Sequence, residues 1–172
     1  MGRVANALAL LVVTAGCGQP LTSRQARARL HPEMPASSLA GELSATELAM
    51  AAAALAEPRR QIVEAALAHA GMPAGALDCS ALAQRLYATT GVSLPRTTEE
   101  QLDAGQAIAA DAVQPGDLVF FAFQKLPADH VGVFAGHGAF VHVSSSQRGI
   151  RVDRLGQASF ARAYVGARRY LQ

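Results

Sequence analysis

The apolar residues of this chain change their spacing once along its length, and that change restricts the possible folds more than any other feature. In the first part of the chain they recur every three or four positions, as on one face of a helix. From residue 117 onwards they recur at every second position, which is typical of β-strands. Helices followed by strands that short turns connect predict an α+β fold with an antiparallel sheet.

Residues that start and stop helices set the bounds of the predicted elements. Ser44 and Glu47 have the spacing of a capping box and open a first helix, which Pro58 ends. Thr97 and Glu100 repeat that pattern at the start of a fourth helix. The predicted helices cover about residues 45–57, 59–70, 79–90 and 98–104. The predicted strands, about five in number, cover residues 117–123, 130–135, 139–144, 149–154 and 164–170.

The first residues, MGRVANALALLVVTAGC, have the pattern of an export signal, with a basic start, an apolar run and a small-residue end. The apolar run of about a dozen residues is shorter than the roughly 20 that a membrane-spanning helix needs. Its end, TAGC, resembles a bacterial lipobox, in which the cysteine carries a lipid. Thr14 stands where leucine is usual, so an ordinary signal peptide cut nearby stays the alternative.

We therefore expect an exported chain of three parts. Residues 1–17 are predicted to be a signal peptide of the lipoprotein type, and residues 18–41 a flexible tether rich in Pro, Ser, Ala and Arg. Residues 42–172 are predicted to form one folded domain. A lipid on Cys17 would anchor the chain to a membrane, so the expected location is the periplasm or the cell envelope.

The composition argues against nucleic acid as a partner. Only 16% of the residues are charged and the formal net charge is +2, which is too little for binding a polyanion. The arginines gather late in the chain, where they could attract an anionic polymer or lie solvated on strand edges. The length of 172 residues suits a single core, and a monomer is expected.

The cysteine count makes Cys79 a candidate nucleophile. Two cysteines in an exported chain normally indicate a disulfide. If Cys17 is lipidated or removed with the signal, however, Cys79 keeps a free thiol. Its predicted place at a helix N-terminus would favour the thiolate and would offer backbone N–H groups to an oxyanion. A small buried structural cysteine is the alternative.

Two histidines on a predicted hairpin supply a base and its partner. Val131 and Val133 on one strand, like the valines on the next, occupy odd positions and must share the buried face. A three-residue loop, Gly136-His137-Gly138, gives that register and makes His130 and His142 diagonal neighbours on the opposite face.

The same register turns both imidazoles towards Cys79. A two-residue loop at His137-Gly138 would put the valines of the two strands on opposite faces, so the longer loop is expected. His130 is predicted to act as the base and, as an imidazolium, to stabilise the thiolate, while His142 holds its ring in the useful tautomer.

A metal site competes with this hypothesis, because cysteine, histidine and aspartate are all metal ligands. The chain has no C-x₂-C or H-x₃-H pair, and the spacing of Cys79 from the two histidines suits a thiol–imidazole pair at least as well. We therefore predict no metal and no cofactor.

Six segments together resemble the NlpC/p60 family of papain-like cell-wall cysteine endopeptidases. They lie in family order between about residues 62 and 170, and they read DCSALAQRLY, GVSLPRTTEEQ, QPGDLVFF, DHVGVF, AFVHVSS and YVGARRY. The resemblance implies a papain-like α+β domain with Cys79 as nucleophile, His130 as base and His142 as the third polar residue. It also implies that Asp78 and Ser80 help to receive the amino group of the substrate.

The implied substrate is a peptidoglycan stem peptide, cut at the bond between D-glutamate and a diamino acid. Two departures bear on it: residues 69–77 lack the aromatic residue that the family usually has before Asp78, and Ala81 replaces a usual glycine. A cysteine amidase, an acyl transferase or a wall-degrading toxin remains an alternative enzyme. A wall-binding lipoprotein without catalysis is the alternative of another class.

Overall fold

The structure is a computed structural model that describes residues 44–171, which form five α-helices and one six-stranded sheet. The helices are α1 (Ala45–Ala53), α2 (Arg59–His69), α3 (Cys79–Ala88), α4 (Thr98–Ala104) and α5 (Ala158–Ala163). The strands are β1 (Gln106–Ile108), β2 (Leu118–Phe121), β3 (His130–Gly136), β4 (Ala139–Ser144), β5 (Gly149–Arg154) and β6 (Tyr164–Arg169). The predicted signal peptide, the tether and Cys17 lie outside the described residues.

The strands pair antiparallel throughout, in the order β1-β6-β2-β3-β4-β5. The α+β prediction is confirmed, with six strands where about five were expected. Among residues 44–171, no helix is both long enough and apolar enough to cross a bilayer.

Both predicted capping boxes are present. The Ser44 hydroxyl accepts the N–H of Glu47, whose carboxylate accepts the Ser44 N–H at 2.7 Å. Thr97 and Glu100 repeat the arrangement at α4, with the Thr97 N–H donating to Glu100 at 3.0 Å. Each box satisfies N–H groups that a helix start leaves without a partner, which fixes where the helix begins.

Two elements escaped the sequence analysis because they are short. The three-residue strand β1 pairs only with β6 and has no period that a pattern could reveal. Helix α5 has six residues, and its N-cap residue Gln157 makes no side-chain capping bond. Helix α5 nevertheless matters, because it carries Phe160 to the candidate site.

The sheet is buried on both faces. Valines from β3 and β4 pack under α2 and α3 in one cluster, whose strand members include Val131, Val133, Val141 and Val143. An aromatic cluster that includes Phe121, Phe134, Phe140 and Tyr164 covers the other face. The histidines predicted to lie opposite the valines are therefore enclosed by aromatic side chains rather than by solvent.

The β3–β4 hairpin has the predicted faces but not the predicted loop. Gly136 pairs with Ala139, which leaves the two-residue loop at His137 and Gly138 that we had disfavoured. Their φ angles of 51° and 74° are both positive, as a type I′ hairpin turn requires.

A β-bulge reconciles the short loop with the shared valine face. Ala135 is an extra residue between the pairs Phe134–Phe140 and Gly136–Ala139, and Val133 still lies opposite Val141. The bulge thus restores the register that the short loop alone would have broken.

Candidate active site

Cys79 is the first residue of α3 and has a free, half-buried thiol. The preceding residue, Asp78, caps the helix by accepting the N–H of Ala81 at 2.8 Å. The Cys79 sulfur lies 3.7 Å from the hydroxyl oxygen of Thr98, a buried residue at the start of α4. The predicted helix N-terminus is therefore where the thiol sits, and the backbone N–H groups of the first turn lie beside it.

A cavity of about 860 Å³ brings the predicted residues together. Cys79 packs against the valine-side cluster, whereas His130 and His142 lie on the aromatic side of the sheet. His130 is the first residue of β3 and so stands at the end of the sheet. The cavity lies over that end and is lined by all three residues and by Asp78.

Three side chains on neighbouring strands form a hydrogen-bonded row. His130 Nε2 lies 2.8 Å from His142 Nδ1, and His142 Nε2 lies 2.8 Å from Asp153 Oδ2. His142 is only 3% exposed, so these contacts have little competition from water. Each member is the diagonal neighbour of the next, because His142 lies opposite Gly132 by the register of β3–β4, and Asp153 lies opposite Phe140.

Asp153 was missed by the sequence analysis, although a signal for it was present. The rule that opposed residues share a face was applied to β3 and β4 only. With the observed β4–β5 register, in which Ser144 faces Gly149, the same rule puts Asp153 on the face of His142.

Burial sets the protonation of both imidazoles. It lowers the pKa of His130 to about 4, with the nearby charge of His142 acting in the same direction. Burial also lowers the pKa of His142, against the opposing effect of its bond to Asp153. The expected His130 imidazolium is therefore wrong for the resting site, because an imidazole with such a low pKa is neutral near pH 7.

Asp78 faces the cavity with its charge held by an arginine. Arg96 donates to Asp78 through two nitrogens, at 2.6 Å and 3.2 Å. These hydrogen bonds hold the pKa of the half-exposed Asp78 carboxyl below its ordinary value. Arg96 was not singled out from the sequence, although it lies within the segment GVSLPRTTEEQ.

The role of Ser80 in receiving the substrate stays a prediction. The side chain of Ser80 is buried and is absent from the cavity lining. The hydroxyl donates to Asp78 at 3.0 Å and accepts from Arg96 at 2.9 Å. Ser80 lies on the buried side of α3, and these two hydrogen bonds hold the Asp78 carboxylate and Arg96 in place.

Phenylalanine supplies the aromatic surface of the cavity. Phe123 is 47% exposed, and its ring centroid lies 5.8 Å from that of His130 and 5.5 Å from that of Phe160. Asp129 folds the segment that carries Phe123 by accepting three backbone N–H groups at 2.6 to 2.8 Å. The sequence lacks an aromatic residue before Asp78. It did not predict that Phe123 and Phe160, which come from other parts of the chain, would line the cavity.

Across residues 44–171, no three His, Cys, Asp or Glu side chains are grouped as metal ligands would be. His130 Nε2 is hydrogen-bonded to His142 Nδ1, and His142 Nε2 is hydrogen-bonded to Asp153 Oδ2.

Comparison with known proteins identifies the family. A family model described as the NlpC/P60 family matches residues 66–169, which are more than half of the chain. The chain belongs to the NlpC/P60 family. The matched residues of this NlpC/P60 domain include Cys79, His130 and His142, and members of the family are cysteine peptidases.

Similar proteins have names that agree on hydrolysis and differ on the bond. A gamma-D-glutamyl-L-lysine dipeptidyl-peptidase of Bacillus cereus is 33% identical over 104 residues, which are 59% of this chain and 31% of that protein. A murein DD-endopeptidase MepS/murein LD-carboxypeptidase of Escherichia coli is 34% identical over 96 residues, covering 55% of this chain and 50% of that protein. The NlpC/P60 match thus spans half or less of the length of these curated relatives.

A solved structure supports the same assignment. The crystal structure of an NlpC/P60 family protein from Bacillus cereus aligns with a TM-score of 0.62 and 26% identity. The alignment covers 69% of this chain and 42% of that one. The α+β architecture of the described residues is therefore the NlpC/P60 fold.

Proposed function

We propose that this chain is a cysteine endopeptidase that hydrolyses peptidoglycan stem peptides, with Cys79 as nucleophile and His130 as general base. One observation carries the proposal: a single cavity is lined by a thiol at a helix N-terminus and by a hydrogen-bonded pair of histidines, the half-buried His130 and the buried His142. The Escherichia coli relative, whose name specifies murein endopeptidase and carboxypeptidase activity, supports the substrate class.

The first chemical step follows from the protonation of His130. Its Nε2 is bonded to His142, which leaves Nδ1 as the nitrogen that can receive a proton. A neutral His130 takes the thiol proton of Cys79, and the sulfur attacks the carbonyl carbon of the peptide bond. The N–H groups of Cys79 and Ser80 have no partner within α3, so they are suited to hold the oxygen that becomes negative.

The second step releases the products. The tetrahedral intermediate collapses, the C–N bond breaks, and His130 returns its proton to the leaving amine. An acyl group then remains on the Cys79 sulfur as a thioester. Water attacks that thioester after losing a proton to His130, which restores the thiol and releases the acid.

The substrate bond is proposed to be the one between D-glutamate and a diamino acid. The Asp78 carboxylate is half exposed, ionised and turned to the cavity, so it can receive the free amino group of a short stem peptide. The name of the Bacillus cereus relative specifies a gamma-D-glutamyl-L-lysine bond, which agrees with this choice. The name of the Escherichia coli relative specifies DD and LD bonds instead, so the bond needs a direct test.

The location proposed for the chain is the cell envelope, with Cys17 as the lipidated residue and residues 18–41 as the tether. The export pattern of the first residues supports this location. A monomer is proposed, because the length of the chain suits a single core. Metabolic labelling with a radioactive fatty acid should mark the wild-type chain and leave Cys17→Ala unmarked.

The decisive experiment is mass analysis of defined stem peptides after incubation with the full chain. We expect two products separated at the D-glutamyl bond, no products with Cys79→Ala, and unchanged cleavage in the presence of a strong chelator. Products cut at a D-alanyl bond would move the assignment to that linkage. Absence of products from both proteins, with the peptides still retained by the wild type, would favour the wall-binding alternative.

A further inference from the structure

His142 uses both of its ring nitrogens, and the second contact reaches beyond the pair that the mechanism uses. Its Nε2 lies 2.8 Å from Asp153 Oδ2 on β5. The other oxygen of Asp153 accepts the side-chain N–H of Gln157 at 3.1 Å. The carboxylate is therefore held from two directions, and one of its partners is a side chain that is 3% exposed.

We propose that Asp153 is a positioning residue that fixes the tautomers of both histidines, so that the free nitrogen of His130 faces the thiol. The proposal rests on the proposed peptidase mechanism, in which His130 must accept the Cys79 proton. It goes further by assigning a role to Asp153, a residue on a third strand that borders the same cavity and acts through His142.

The order of donors along the row follows from the carboxylate. An ionised Asp153 can only accept, so His142 must carry its hydrogen on Nε2. His142 Nδ1 is then without hydrogen and can only accept, so His130 must carry its hydrogen on Nε2. His130 Nδ1 consequently has a free electron pair, which is what a base for the thiol requires.

Without the Asp153 carboxylate, the donors and acceptors of the two histidines are no longer fixed. A neutral imidazole can carry its hydrogen on either nitrogen, and the reversed row would place the hydrogen of His130 on Nδ1. In that state the base cannot take the thiol proton. Asp153 Oδ2 is the acceptor that lies within hydrogen-bond distance of His142 Nε2, at 2.8 Å.

The negative charge of Asp153 also makes both imidazoles more basic. Besides the two histidines, the titratable groups that line the cavity are Asp78 and Cys79 at the start of α3, Asp129 before β3, and Asp153 on β5. Asp153 and Asp129 both oppose the lowering of the His130 pKa, and Asp153 also opposes that of His142. Removing the Asp153 charge should therefore lower the pKa values of both imidazoles further.

Nitrogen NMR of the full wild-type chain tests the tautomers without any assay of activity. We expect both histidines to carry hydrogen on Nε2 at pH 7, with both Nδ1 atoms at the chemical shift of an unprotonated nitrogen. A hydrogen on Nδ1 of His142 would overturn the proposal, whatever the protein cleaves. The NMR result does not depend on which bond the protein cleaves. It therefore tests the role of Asp153 independently of the proposed function.

Asp153→Asn, with Asp103→Asn as the control, tests the consequence for catalysis. Asp103 lies exposed on α4, outside the cavity lining, so the same chemical change there should have no effect. For Asp153→Asn we expect kcat to fall by about 10- to 10⁴-fold, because the histidines lose the carboxylate that fixes their tautomers, with KM nearly unchanged.

The pH profile distinguishes positioning from a structural role. In Asp153→Asn the acidic limb of kcat/KM should move to lower pH, because the imidazoles lose a stabilising negative charge. An unshifted limb together with a kcat within twofold of the wild type would contradict the proposal. If Asp153→Asn does not fold, the wild-type nitrogen spectrum still decides the matter.

Discussion

At the scale of single residues, the burial of His130 decides how the thiol can be activated. A cysteine and a histidine can rest either as a neutral pair or as a thiolate and an imidazolium. Burial lowers the pKa of His130 to about 4, so the neutral imidazole dominates at pH 7. In the proposed mechanism, His130 therefore begins the reaction ready to accept a proton instead of already holding one.

The pH dependence of the wild-type enzyme should reflect that low pKa. His130 is active when deprotonated, and its pKa lies below the ordinary value, so activity should persist as the pH falls and be lost only near pH 4 to 5. The measurement is kcat/KM against pH, which reports the groups of the free enzyme. An acidic limb at about 6.5, the pKa of an unperturbed histidine, would contradict this expectation.

Residue types and spacing could predict Cys79, His130 and His142, because a helix start and strand alternation can be derived from local sequence. The protonation state of His130 could not be predicted in that way. It depends on the aromatic cover from Phe121 and Phe123, which comes together only in the folded sheet.

At the scale of elements, Gly132 controls how closely β3 and β4 approach beside the histidines. A Cβ at this position would lie 2.6 Å from Phe140 Cδ2, 3.0 Å from the Val141 carbonyl oxygen and 3.3 Å from His142 Cβ. The glycine lies opposite His142 in the β3–β4 register. Because glycine has no Cβ, β3 can approach β4 closely and the imidazole of His142 keeps its position.

Gly132→Ala should therefore damage both stability and catalysis. Crowding against Phe140 should cost about 1 to 3 kcal/mol in the free energy of unfolding, as overpacked cores do. A shifted His142 should also lower kcat about tenfold or more. Urea denaturation and steady-state kinetics measure the two effects separately.

Val131→Ala is the matched control for the glycine variant. It opens a cavity on the opposite face of the same strand and should cost stability without moving the histidines. Equal losses of kcat in both variants would mean that instability, not the position of His142, explains the effect of Gly132→Ala.

The β3–β4 hairpin shows that strand register cannot be derived from loop length alone. The valine pattern correctly required residues of equal parity to face one another, and that part of the prediction is confirmed. The loop was wrong, because His137 and Gly138 form a tight turn and Ala135 bulges to compensate. A bulge of one residue leaves no trace in the alternation of so short a strand.

At the scale of the whole molecule, Asp117 joins the first and last parts of the described chain. Its carboxylate is 1% exposed and pairs with Arg59 of α2 at 3.1 Å and with Arg169 of β6 at 2.7 Å. The Gln114 N–H also donates to it at 2.8 Å. Tyr87 of α3 donates to the carbonyl of the adjacent Gly116. Helices α2 and α3 and strand β6 therefore meet at this turn.

Asp117→Asn should destabilise the fold more than it affects the chemistry. Two arginines would lose a buried anionic partner, which costs about 3 to 5 kcal/mol when one member of such a pair is removed. Thermal or urea denaturation measures the loss, and Asp111→Asn is the control, at an exposed residue of the short 3₁₀ helix Ala110–Ala112. A loss below about 1 kcal/mol would show that the network is replaceable.

The architecture as a whole could be predicted from the change in apolar period, because it depends on which faces are buried. The strand order could not be. Strand β6 lies between β1 and β2, although it is the last in sequence, and the chain gives no local signal for that placement. The Asp117 network is likewise invisible in sequence, since its partners lie 52 and 58 residues away.

The central claim is that Cys79 carries the acyl group of the substrate during turnover. Acid quenching of the full chain within a few turnovers, followed by mass analysis of its peptides, measures this directly. We expect the peptide that contains Cys79 to gain the mass of the acyl half of the substrate, and to gain nothing in the Cys79→Ala protein. Product release with no mass gain on that peptide, together with retained activity in Cys79→Ala, would contradict the account.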